Sequence, residues 1–116
     1  RQEVANRYQN MLKGIVSTPI LIKGTTSSWA QYVIKLPKGV DRKKIIKALD
    51  AADVPTAIYY PVPVHQQPIY SHFPTSACNL PVTLDLCSRV LALPMHPYLE
   101  VEQQRYITTS LKAALD

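Results

Sequence analysis

Val4, Tyr8, Met11 and Leu12 recur at three- and four-residue spacing, the apolar stripe of an amphipathic helix, and Gly14 stands where a C-cap would close it. The period then changes. "PILIKGTTSS" reads as a short apolar strand and a polar turn. "WAQYVIKL" alternates, setting Ala30, Tyr32, Ile34 and Leu36 on one face and Trp29, Gln31, Val33 and Lys35 on the other. After the break "PKG", Asp41 is placed to N-cap a second helix, "DRKKIIKALD", with Val40 and Ile45 as a hydrophobic staple. "DVPTAIYY" returns as a strand that Pro61 stops. Further on, "PVTLDLCSRV" predicts a helix with Pro81 in its first turn, and "VLALPM" a short buried strand. "YLEVEQQRYITTSLKAALD" predicts the closing helix: Ile107, Leu111 and Leu115 form its stripe, and Glu100 and Glu102 lie near its start, where the macrodipole favours negative charge.

These elements define an α+β domain, or α/β in the loose sense, with a small sheet and helices mainly on one face. Residues 1–116 read as a single domain. The link from "WAQYVIKL" through the second helix to "TAIYY" suits either a crossover between parallel strands or a return to an antiparallel neighbour, and sequence leaves both open. With 47% apolar and 18% charged residues the chain has a globular composition, and no apolar run approaches the roughly 20 residues of a membrane helix. Cys78 and Cys87 lie too far apart for a metal-type pair and are expected as free buried thiols of a reducing cytoplasm. A chain that opens on Arg1 is expected to be cut from something longer.

The net charge of +5 raises a second reading, a free-standing basic module that binds an acidic partner or nucleic acid. Much of the excess sits in Arg42, Lys43, Lys44 and Lys47, which alternate with Ile45, Ile46 and Leu49 as the solvated face of a helix. No nucleic-acid motif accompanies them, so binding to nucleic acid is not expected. Catalytic sets are missing too. There is no G-x-S-x-G elbow, no paired carboxylates and no glycine-rich phosphate loop, so the isolated chain is expected to fold without being catalytic.

One segment stands apart. "AIYYPVPVHQQPIYSHFP", residues 57–74, packs four prolines, three tyrosines and two histidines into eighteen residues. Neither a helix nor an interior strand can run through Pro61, Pro63 and Pro68, which predicts a stiff, extended loop. Tyr59 and Tyr60, consecutive at a strand end, should point to opposite faces, one into the core. His96, between Pro94 and Pro97, is expected to fix a turn, and Trp29 to anchor the core or join Tyr70 and Phe73 on an exposed apolar surface.

Taken in order, "SSWAQYVIKLP", "VPTAIYYPVPVHQQPIY", "LPVTLDLCSRVLALPMHPYLE" and "QQRYI" resemble the C-terminal part of the DegT/DnrJ/EryC1/StrS sugar aminotransferases, across essentially the whole chain. The resemblance implies the small C-terminal domain of a fold type I pyridoxal-phosphate enzyme, with the large cofactor domain and its Schiff-base lysine outside this chain. It implies a homodimer that transfers an amino group, usually from glutamate, to a keto group of a nucleotide-linked sugar, with a lean toward 3-keto sugars of uronic acid type. By motif position it implies substrate contacts from Tyr59, Tyr60, His65 and Gln67, and none to cofactor or metal from this chain.

Overall fold

The alternation in "YVIK" becomes strand β1 (Tyr32–Lys35), and the apolar "VLAL" becomes strand β2 (Val90–Leu93), in a computed structural model that describes residues 1–75 and 79–116. They pair antiparallel, with Tyr32 opposite Leu93 and Ile34 opposite Leu91. Because side chains alternate across a sheet, these four share the face that meets the core. Three helices cover it: α1 (Gln2–Met11) through Val4 and Tyr8, α2 (Arg42–Ala51) through Ile45 and Leu49, and a C-terminal helix, Val101–Leu115, through Ile107 and Leu111. A further helix, α3 (Pro81–Arg89), buries none of its residues; the C-terminal helix is therefore α4, and it packs against both α1 and α2.

The α+β class and the one-sided helical layer hold, and the strand count is smaller than the pattern suggests. Ser17 bridges Lys35 through two backbone bonds, so "PILI" starts beside β1. The next rung would need an N–H from Pro19, which has none, and the ladder stops. Ile20 and Ile22 are left 89% and 77% exposed, and Ile22 opens a turn that Thr25 closes on its carbonyl. "TAIYY" fails in the same way. Ala57 exchanges bonds of 3.2 and 2.8 Å with Ala92 on the free edge of β2. One rung further in one direction, in this register, Pro55 would face Pro94. In the other, the Val90 carbonyl accepts from Arg42 Nη1 at 3.0 Å instead. Since Ala57 and β1 both run antiparallel to β2, they run parallel to each other with β2 between them. The connection through α2 is thus a crossover between parallel segments.

Smaller differences have local causes. α1 ends at Met11 with Leu12 as C-cap, and Gly14, at φ +78°, serves the turn that follows. Trp29 takes a left-handed φ of +49°, which removes it from the alternation and turns its ring into the core, 5.7 Å from that of Tyr32. Its indole donates to Gln2 at 2.8 Å, so Trp29 is an anchor and not part of an exposed surface. Asp41 caps α2 as expected, accepting from the Lys43 amide at 2.9 Å. Glu100 caps α4 through a reciprocal box with Gln103. Cys87 is a free, half-buried thiol, and the expectation for Cys78 lies outside the described residues.

Two tyrosines give the core a pH limit. Tyr8 and Tyr32 are fully buried and stacked 4.8 Å apart. Loss of hydration pushes the Tyr32 phenol up to about 12, and the Tyr8 phenol above the ordinary range, the latter with help from Tyr32. Between about pH 10 and 12 the unfolded chain gives up protons that the folded chain keeps, so stability falls as pH rises through that window. Relative to the native chain, Tyr8→Phe/Tyr32→Phe is expected to lose less stability from neutral pH to the alkaline side of 10. Urea midpoints at the two pH values check this, and equal losses in both chains would refute it.

Candidate functional site

The 57–74 segment is compact rather than extended. Pro63 precedes one 3₁₀ turn, Val64–Gln66, and Pro68 opens a second, Pro68–Tyr70, positions where a missing N–H costs nothing. Backbone bonds from Gln66 to Pro63 and from Tyr70 to Gln67, each 2.9 Å, hold the two turns, and Ser71 Oγ donates to the Pro68 carbonyl. Pro63 is buried, and most of the surrounding side chains are exposed.

Opposite lies α3. Its N-cap, Leu80, adopts a left-handed φ of +46°, and Pro81 starts the helix. Leu80, Thr83 and Cys87 recur at three- and four-residue spacing and so share one face. Between that face and the turns runs an open groove of about 750 Å3, to which Tyr60, His65, Gln67, Tyr70 and Phe73 contribute from the loop side. The Tyr70 and Phe73 rings meet at a tilt of 52°, 6.1 Å apart. Tyr60 is 69% and Phe73 57% exposed, so the expected apolar surface is present here without Trp29.

Tyr60, His65 and Gln67, chosen from sequence, therefore meet on one groove. Tyr59 does not. It lines a smaller cleft of about 260 Å3 with Gln31, Thr56, Pro94 and Met95. Neither tyrosine is buried, contrary to the expectation that one would enter the core. The backbone leaves the sheet at Ala57, so strand alternation no longer applies, and the two rings pack edge to face at 5.8 Å. His96 sits in a turn that its backbone carbonyl closes by accepting from Leu99. Thr83 and Cys87 were not legible as groove residues. Their common helical face can be read from spacing, but the surface that face meets cannot.

The lining has a definite chemistry. Among the described residues it holds no lysine, arginine, aspartate or glutamate. It offers phenol, imidazole, amide and hydroxyl groups beside aromatic faces, a set that can hydrogen-bond and stack on a neutral, polyhydroxylated ring. It offers no fixed charge to neutralise a phosphate.

Comparison with known proteins defines the class. Residues 1–112 match the DegT/DnrJ/EryC1/StrS aminotransferase family, and the chain belongs to it. It is 35% identical over 112 residues to the UDP-2-acetamido-2-deoxy-3-oxo-D-glucuronate aminotransferase of Pseudomonas aeruginosa, which takes in 96% of this chain and 30% of that protein. Among solved structures, a DegT DnrJ EryC1 StrS aminotransferase from Brucella abortus superposes with a TM-score of 0.88 at 38% identity, over 97% of this chain and 29% of its own. DesV of S. venezuelae, solved in complex with a ketimine intermediate, gives 0.87 at 26% identity, over 99% and 31%. The chain spans about 30% of the length of these relatives.

Proposed function

We propose that this chain is the small C-terminal domain of a longer aminotransferase that aminates a keto group on a nucleotide-linked sugar, and that Tyr60, His65 and Gln67 present hydrogen-bonding tips to the sugar. The observation that carries the reading is the convergence of these three hydrogen-bonding side chains on one groove. Tyr59, on the neighbouring cleft, contacts the substrate from that side. The P. aeruginosa relative acts on a 3-oxo uronic acid sugar, which supports a 3-keto substrate here.

Pyridoxal phosphate would act as electron sink in such a reaction. The groove does not fit it, having among the described residues no lysine to bond its aldehyde and no cation or glycine-rich turn to hold its phosphate. The cofactor and the cationic partners of the sugar nucleotide's phosphates are therefore assigned to the large domain and to a second subunit of a cytoplasmic homodimer. What this domain contributes is orientation. The loop is already folded by prolines and backbone bonds, so little ordering entropy is lost when the sugar docks.

In the full-length protein, Tyr60→Phe and His65→Ala are each expected to lower kcat/KM for the sugar nucleotide about threefold to tenfold, the loss of one hydrogen bond, and more where the bond forms only in the transition state. Thermal midpoints should stay unchanged, since each variant removes a surface tip. Unaltered kcat/KM in both variants, or a loss matched by unfolding, returns the loop to a plain connection.

A further inference from the structure

Helix α3 forms one wall of the groove, yet it is not fixed by the apolar packing that seats the other three helices, for it buries no residue fully. Polar ties hold it. Arg42, in the first turn of α2, donates through Nη1 to the Cys87 carbonyl at 2.7 Å and to the Val90 carbonyl at 3.0 Å. Arg89 donates to the Leu36 carbonyl at 2.9 Å while clasping Asp85 at 2.9 and 2.6 Å.

Arg42 is the tie that comes from another helix, and its location is telling. A cation in the first turn of a helix opposes that helix's own dipole. What it reaches explains it: the carbonyl end of α3, where unpaired C=O groups need donors and positive charge is favoured. The same guanidinium occupies the Val90 carbonyl, the acceptor that a strand continuing through Tyr59 would have used. It thereby ends the sheet edge where the tyrosine pair begins. One side chain thus acts on the α3 wall, with Thr83 and Cys87, and on the β2 edge beside which the loop carrying Tyr60 and His65 departs. A solvated face, the reading its neighbours in "DRKK" suggest, does not describe Arg42, which is half-buried.

We propose that Arg42 is a positioning residue for sugar binding: it sets the width of the groove by locking the C-terminal end of α3 and the start of β2 to α2. The proposal rests on the groove being the sugar site.

The test uses the full-length protein with Arg42→Ala and Arg42→Lys, read by steady-state kinetics and by hydrogen exchange. Arg42→Ala is expected to raise KM for the sugar nucleotide roughly threefold to tenfold, the scale of one or two lost hydrogen bonds. Both kcat and KM for the amino donor should stay within about twofold, because the donor does not use the groove. Arg42→Lys should recover part of the loss, since an ammonium can reach one carbonyl and lacks the planar fork. Amides near the end of α3 should exchange faster in Arg42→Ala, with those of α4 unchanged. Unchanged exchange in α3, an unmoved sugar KM, or an equal rise in KM for both substrates each overturns the proposal. Tyr60→Phe and His65→Ala separate the two possible failures. If they impair sugar turnover and Arg42→Ala does not, this inference falls alone. If neither impairs it, the reading of the groove falls with it.

Discussion

Tyr8→Ala is expected to remove about 3–5 kcal/mol of stability, the scale for deleting a fully buried aromatic ring. The ring is completely enclosed, stacks on Tyr32, and sits in the core cluster of α1, α4 and both strands. Its hydroxyl donates to the Pro94 carbonyl at 2.8 Å, tying the first helix to the turn that follows β2. Tyr8→Phe keeps the ring and loses only that bond, so about 1 kcal/mol is expected. Denaturant titration of both variants measures the pair. A phenylalanine variant as unstable as the alanine one would mean that the hydrogen bond, and not ring packing, dominates the site.

Gln104 should be nearly as sensitive, for a different reason. It is 0% exposed on α4, where its amide donates to the Val4 carbonyl at 3.0 Å and its oxygen accepts from Arg7. Arg7 also donates to the Leu99 carbonyl at 2.6 Å, so one buried amide links α1, α4 and the turn between β2 and α4. Gln104→Met nearly preserves volume while removing the second hydrogen bond of the Val4 carbonyl, which keeps its helical partner, and leaving Arg7 without its side-chain acceptor. A loss of about 2–4 kcal/mol is expected, from one hydrogen bond between neutral groups and a stronger one to a charged guanidinium. A change below about 0.5 kcal/mol would show that water or rearrangement supplies the missing partners.

Gln104 also marks the boundary of what the chain reveals before it is folded. The stripes of α1, α2 and α4 and the alternation of "YVIK" were readable because each is a local period, repeated by several residues. A buried glutamine breaks the period of its helix, and only the distant partners Val4 and Arg7 make it a core residue. The two lost strands were misread for a related reason. Ile20, Leu21 and Ile22 have strand-like composition, but the ladder depends on which neighbour meets Pro19. Likewise "TAIYY" is limited to one bridge because Pro55 precedes it and Arg42, distant in sequence, takes the Val90 carbonyl that its next rung needs. In the groove, Tyr60, His65 and Gln67 were pointed to by the motif resemblance of the proline-braced loop that carries them. That Tyr59 faces another cleft, and that Thr83, Cys87 and Arg42 complete the arrangement, follows from the sheet's early end, which is a tertiary event.

The sheet's connectivity also dictates an order of events during synthesis. β1 and Ala57 flank β2 and do not pair with one another, so neither has its main partner until residues 90–93 have left the ribosome. The residues before Val90 supply α1 and α2, but β2, which joins β1 to Ala57, arrives late, and α4 later still. Assembly therefore depends on contacts of large sequence separation, which makes it slow and leaves two open edges on the nascent chain for as long as translation lags. A ribosome stalled before Val90 would display a chain that lacks the β1–β2 ladder, open to capture by chaperones.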